Sequence, residues 1–430
     1  MSEERLVPKL RFSGFDDEWE TKMLKDVSTI NPKTKDLPNE FVYIDLDSVE
    51  NGILTKKNKI CLEDAPSRAQ RLLDVNDILF QTVRPYQMNN LYFDYDDDKY
   101  VASTGYAQIK SNINSRYLYH YLHYSKFVNE VLKRCTGTSY PAINANDLKK
   151  IKIKIPSNLE EQKFIGSIFD KIDEKIELLE KKHLYYHYFK KFLMQQIFAQ
   201  KLRFDFENDW EEFTLGNIGE TYNGLSGLSK DNFEKGNSRY ITYKSIFDNN
   251  VLIEDLTEPV DLNNKSQNNV KKGDLFFTGS SETPEEVGMV SVLNFDIDNC
   301  YLNSFCFGYR LKDLTKVNPI FLAYYLRSPI MRNKIQILAQ GSTRFNLSKK
   351  EILKLKINIP DIKEQIKILD LMQNNDKLLK NTSCQITEMN LFKKSLLQQM
   401  FVYIPIFMHT ILNFCAKICC IKYFLKSIYV

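Results

Sequence analysis

The segment Arg84-Pro85-Tyr86-Gln87-Met88-Asn89-Asn90 places an arginine, a tyrosine and three side-chain amides within seven residues. A guanidinium can pair bidentately with a guanine edge, and Gln or Asn can do the same with adenine. Arg84, Tyr86, Gln87 and Asn89 are therefore candidate base readers, although a hairpin turn free to drift has the same composition. Two other short segments, Gly137-Thr138-Ser139-Tyr140 and Gly341-Ser342-Thr343-Arg344, combine a glycine with small hydroxyl residues. Thr138, Ser139, Tyr140, Ser342, Thr343 and Arg344 suit contact with phosphate oxygens, and equally suit a turn that caps the next strand.

The elements that position these residues are written twice. Lys9-Leu10-Arg11-Phe12 returns as Lys201-Leu202-Arg203-Phe204, and the only two tryptophans, Trp19 and Trp210, follow it at similar distances. Asp77-Ile78-Leu79-Phe80 and Asp274-Leu275-Phe276-Phe277 both predict a short buried strand. A helical pattern at 117–122 matches 321–326, each Gly/Ser/Thr loop follows, and Lys150 to Pro156 and Lys354 to Pro360 alternate as strands. In this frame the counterpart of the Arg84 loop is Thr278-Gly279-Ser280-Ser281-Glu282-Thr283, which differs at almost every residue and adds Ser280 and Ser281 as candidate readers.

Each copy closes with a long helical pattern. Ile165, Phe169, Ile172, Ile176, Leu179, Tyr186, Leu193 and Ile197 fall on three- and four-residue steps, interrupted by His183 and Lys190. The second copy repeats the seam through Ile368, Met372, Leu379, Ile386, Met389, Leu396 and Met400, with Asn375, Thr382 and Lys393 as polar breaks. The closing phrases, 189–198 and 392–401, agree at seven of ten positions. Two readings stand: a pair of helices packed as a coiled coil, or two surface helices each covering its own domain. The expected class is α+β, with two similar globular α/β domains joined by two long helices in an antiparallel coiled coil, a pseudo-two-fold repeat. The expected divisions are 1–157, 158–200, 201–360, 361–402 and a hydrophobic tail, 403–430.

Charge is nearly balanced, 59 Lys and Arg against 55 Asp and Glu, which excludes a polybasic protein. Locally, residues 101–150 hold seven basic against two acidic residues, and 301–350 hold nine against one. The pattern predicts a basic face in each copy, or an ordinary solvated surface. A helix of about 40 residues is about 60 Å long, so such a rod suits two readers held apart on a bipartite target. No Gly-Lys dipeptide occurs, so the phosphate-binding loop of ATPases is absent, and no G-x-G-x-x-G follows a strand. Asn318-Pro319-Ile320-Phe321 lacks the second proline of the methyltransferase base-holding motif and predicts a helix cap instead. His183 and His187 share ligand spacing without an evident third ligand. No cofactor or catalytic group is expected. The eight cysteines form no C-x-x-C pair, and the first residues hold no secretory apolar run, which points to a reducing cytoplasm.

Two divergent domains, each followed by a helix that opens with Ile-Pro and Glu-Gln (Pro156, Glu161-Gln162; Pro360, Glu364-Gln365) and ends in Phe-Lys-Lys…Leu…Gln-Gln, resemble the specificity subunit of type I restriction-modification systems. The resemblance covers roughly residues 6 to 402. It implies a non-catalytic subunit with two target recognition domains, each reading one half of an asymmetric double-stranded DNA target. It further implies two modification subunits that supply S-adenosylmethionine and methylate adenine, and restriction subunits that supply ATP-driven translocation and cleavage; from the residues themselves, no membrane partner is expected. A non-catalytic adaptor with duplicated protein-binding domains is the alternative. The segment Tyr403 to Val430 departs from the family pattern: it holds no acidic residue and three of the cysteines, Cys415, Cys419 and Cys420. It is read as an accidental extension, with an interfacial membrane helix as the second reading.

Overall fold

The computed structural model describes residues 6–34, 36–206, 208–252, 256–263 and 265–402; the tail reading falls outside them. The chain forms two compact units, one holding the residues up to Leu178 and from Ile386 onward, the other Leu179–Gln385. Each unit takes in part of both long helices, Leu159–Phe198 and Ile362–Met400.

In the first unit a four-stranded sheet runs in the order Ser28–Ile30, Tyr106–Ser111, Ile78–Gln81, Leu91–Tyr92. A second has Asn58–Cys61, Glu40–Ile44, Tyr100–Ser103, Ala69–Leu72, with one parallel pair, Glu40–Ile44 beside Tyr100–Ser103. Ile78–Gln81 is buried at all four positions; the apolar run Ile78–Phe80 predicts the first three, and Gln81 is buried with its side-chain amide hydrogen-bonded to Gln87 and Asn89. Helices Ser115–Leu122 and Ser125–Leu132 cover the first sheet, and Phe80 meets Phe127 edge-on at 5.9 Å. The second unit repeats the plan with a five-stranded sheet built on Leu275–Thr278 and Cys306–Leu311, a three-stranded sheet, and helices Pro319–Leu326 and Pro329–Ile337. The Asn318 side chain caps the first of these helices, accepting from the amides of Ile320 (2.9 Å) and Phe321 (3.3 Å), with Pro319 in the first turn.

The alternating segments are shorter as strands than their patterns suggest. Lys150 caps a short helix, Ala145–Lys149, and the strand is Lys152–Ile155; Lys349–Leu353 similarly precedes Lys356–Ile359. These strands pair antiparallel with Glu20–Met23 and Glu211–Thr214, so the beginning and the end of each globular segment are stitched together before the long helix begins.

Within each unit the two long helices run antiparallel. In the first, Phe169 stacks on Phe401 at 5.8 Å and Asp173 pairs with Lys393 at 2.5 Å. In the second, His183 Nδ1 meets Thr382 Oγ1 at 2.9 Å and Lys190 pairs with Asp376. Thr382 Oγ1 also donates to the carbonyls of Leu378 and Leu379, so the imidazole N–H is the donor in the His183 contact. Most of the seam predicted from the three- and four-residue steps is buried, including Ile165, Phe169, Ile172, Leu193, Ile197, Ile368 and Met372. Lys190 and Lys393 interrupt the apolar pattern because each answers an aspartate at the equivalent repeat position.

Candidate nucleic-acid interface

Arg84 adopts a left-handed conformation (φ 53°, ψ 53°) and opens a single 3₁₀ turn, Pro85–Gln87; Met88 closes it in the same region. Two left-handed non-glycine residues in one loop are costly, and the surroundings hold them. The Arg84 amide donates to Pro141 O (2.8 Å), and the Asn89 amide donates to the buried Gln81 Oε1 (3.1 Å). Val83 bridges to Ala142, and Ala142 to Thr136, which sews the Arg84 loop to the Gly137 loop. The Arg84 guanidinium then lies 4.3 Å from the centre of the Tyr140 ring, where a flat cation is favoured. Tyr86 and Tyr140 are 49% and 64% exposed, which is high for tyrosine and leaves ring surface for a partner.

Gln87 and Asn89 are tied into the loop. Gln87 Oε1 accepts from Gln81 (2.8 Å), and Asn89 Oδ1 accepts from the Asn51 amide (3.2 Å). Their oxygens hold the loop's shape, leaving the amide N–H groups as the donors available outward. Thr138 and Ser139 are exposed at the tip. Gly137 has φ +90°, and a Cβ there would lie 3.0 Å from Tyr140 O, so the loop closes on itself at this glycine.

The second unit brings the equivalent segments together in another way. Ser280–Ser281 is a two-residue strand paired with Phe345–Leu347, just beyond the Gly341 loop. Gly341 has φ +137°, and a Cβ would lie 2.0 Å from Arg344 O, so only glycine fits. Ser342, Thr343 and Arg344 are exposed. Ser280 is half-buried, whereas Ser281 is buried and donates to Glu286 Oε2 at 3.0 Å, so it supports a neighbour. Arg344 lies 5.7 Å from the Phe305 ring, itself 56% exposed, which restates the Arg84–Tyr140 pairing with different partners.

Between these side chains opens a cavity of about 360 Å³, floored by Tyr243 and Phe247 and edged by Glu282, Glu286, Phe305 and Arg344. Tyr243, Phe247, Glu286 and Phe305 were not among the residues that the sequence pattern singles out. They come from separate segments of the chain, and only the fold brings them together.

The basic segments fold differently from their count. In 301–350, Arg310 turns inward onto the buried Asp274 (2.6 Å), while Arg327 and Arg332 donate to main-chain carbonyls. Burial pushes both of the latter down to about 10, which leaves them charged at neutral pH. In 101–150, Lys110, Lys133 and Arg134 pair with carboxylates. A uniformly basic face is thus not what those residues build, because Lys110, Lys133, Arg134 and Arg310 pair with carboxylates of their own unit and Arg327 and Arg332 are turned onto main-chain carbonyls. Arg84 and Arg344 instead end on aromatic rings.

Residues 16–184 and 207–388 each match the Type I restriction modification DNA specificity domain. The chain belongs to this family. Among relatives, it is 24% identical over 424 residues to the putative type I restriction enzyme MjaX specificity subunit of Methanocaldococcus jannaschii, covering 86% of this chain and 90% of that one. It is 27% identical over 170 residues to the HindI specificity subunit of Haemophilus influenzae, a match spanning 37% of this chain and 36% of the relative. A structure described under complex assembly and conformational transition of the type I R-M system superposes with a TM-score of 0.61 at 21% identity, over 91% of this chain and 99% of that one. The type I S subunit from M. genitalium gives 0.55 at 15% identity, over 93% and 100%. The specificity-subunit fold is therefore shared along nearly the whole length. Among the described residues no helix is long and apolar enough to cross a membrane.

Proposed function

We propose that this specificity subunit reads a split, asymmetric target in double-stranded DNA, one half through each unit, and performs no catalysis of its own. The observation that carries the reading is that each family domain presents an arginine beside an aromatic ring, half-buried at Arg84 and exposed at Arg344, at the junction of a divergent loop and a glycine loop. Arg84 with Tyr86 and Tyr140 serves one half, and Arg344 with Phe305 the other. Thr138, Ser139, Ser342 and Thr343 contact phosphates and set the register.

The chemistry belongs to partners: two modification subunits that methylate adenine and restriction subunits that translocate and cut. A surface for protein contact is available on the first long helix, where Tyr185, Tyr188 and Phe192 follow three- and four-residue steps and are all more than half exposed. Anisotropy of the full chain on duplex DNA across a salt series tests the reading. Affinity that falls steeply and log-linearly with salt supports it; salt-independent behaviour favours the adaptor alternative.

A further inference from the structure

The cavity of the second unit has a wall that is fastened on both sides of one carboxylate. Arg332 donates to Glu285 O (2.8 Å), Val287 O (2.6 Å) and Gly288 O (2.7 Å), bracketing Glu286 in the main chain. Arg327 donates to Ile246 O, Phe247 O and Asn249 O, which fixes the end of the helix that carries Phe247. Ser281, at the end of the strand that leads into this turn, donates to one Glu286 oxygen. The main chain on either side of Glu286 is thereby fixed and one of its carboxylate oxygens is held, while the exposed carboxylate keeps lone pairs for a further donor beside an aromatic floor.

A fixed carboxylate on a DNA-reading surface is selective because of what it repels. Guanine O6 and thymine O4 present lone pairs to it, whereas cytosine N4 and adenine N6 present N–H donors. We propose, building on the DNA-reading role above, that Glu286 is the specificity-determining acceptor of the second unit. It receives the exocyclic amino group of a cytosine or adenine in that half-site, and Arg332 is its positioning residue. Arg344, which lines the same cavity, offsets the acidic charge next to the DNA backbone. The first unit has no acid between Arg84 and Asn90, so the two half-sites are chemically different at the corresponding step.

The test is selection of duplexes with a randomised core by the full chain, sequencing what is retained, for wild type, Glu286→Ala, Glu286→Gln and Arg332→Gln. Wild type selects a split motif with cytosine or adenine at the step in question. Glu286→Ala loses about fivefold or more discrimination at that single step, and the other half is unchanged. Glu286→Gln keeps the side-chain shape, which guards against a folding defect in the alanine variant, and its amide N–H₂ admits guanine or thymine there. Arg332→Gln weakens the same step and no other. An unchanged motif in both Glu286 variants overturns the assignment, as does an effect at a step where wild type selects guanine or thymine. A wild-type chain that selects no motif at all would instead defeat the DNA-reading role itself.

Discussion

Arg11 Nε and Nη2 reach the two carboxylate oxygens of Glu161 at 2.7 and 2.8 Å, and Trp19 Nε1 donates to the same carboxylate at 3.3 Å. Arg203, Trp210 and Glu364 repeat the arrangement. The paired Glu-Gln of each helix is thus a clamp on the repeated Lys-Leu-Arg-Phe phrase. Its glutamines complete it: Gln162 accepts from the Asn114 amide and donates to Pro156 O, and Gln365 does the same with Asn318 and Pro360. Glu161 is 1% exposed, and removing one partner of a buried pair leaves the other charge stranded. Arg11→Ala is expected to cost about 3 kcal/mol, read as a lower urea midpoint.

Phe401 and Phe198, which end the two near-identical closing phrases, fill aromatic pockets. Phe401 packs on Phe169, Tyr117 and Tyr121 in the first unit, and Phe198 on Tyr325 and Phe321 in the second. Phe401→Ala and Phe198→Ala are each expected to lose about 3–5 kcal/mol. Hydrogen exchange distinguishes them, because each substitution speeds exchange chiefly in its own unit.

Asn375 is 3% exposed, and neither side-chain polar atom has a hydrogen-bond partner. The equivalent position of the first copy is Ile172. Asn375→Leu, which keeps the branching, is expected to raise stability by about 1–2 kcal/mol. A calorimetric Tm at or below wild type would contradict this account of the seam.

His120 is fully buried, donates Nε2–H to Asp170 at 2.8 Å and leaves Nδ1 unpaired, with Asp173 and Lys393 nearby. Burial pushes its imidazole below the ordinary range, outweighing the Asp170 hydrogen bond. The unfolded chain therefore takes up the proton first as pH falls. The stability this group contributes is present above about pH 6.5 and is lost progressively below it. His120→Gln is expected to flatten the fall in Tm of the first unit between about pH 7 and 5. At the equivalent position the second unit has Tyr324, which does not titrate there.

Arg84→Ala and Arg344→Ala are expected to relax opposite halves of the target, each by about 1–3 kcal/mol of discrimination. Loss in both halves from either substitution would contradict separate reading by the two units.

The repeat, the buried strands, the Asn318 cap and the helical seam were legible in sequence because each is a local pattern or a copy of one. Arg84 and Tyr140 were legible as candidates, but their stacking was not, since it needs the Val83–Ala142 bridge across more than fifty residues. Glu161 was visible as half of a signature, while its partner stands 150 residues away. The acidic cavity wall was hidden for a stronger reason: Glu286 and Phe305 lie where the copies diverge, so comparison of the chain with itself passes over them. The basic counts misled because composition does not say which arginines are used inside their own unit, as Arg310, Arg327 and Arg332 are.

Each unit is proposed to read one half of a split target. A genome-wide map of N6-methyladenine, in cells with the cognate modification subunits and with or without this chain, tests it most directly. A two-part motif with a fixed gap, methylated only when the chain is present, is the expected result. An unchanged map would contradict it.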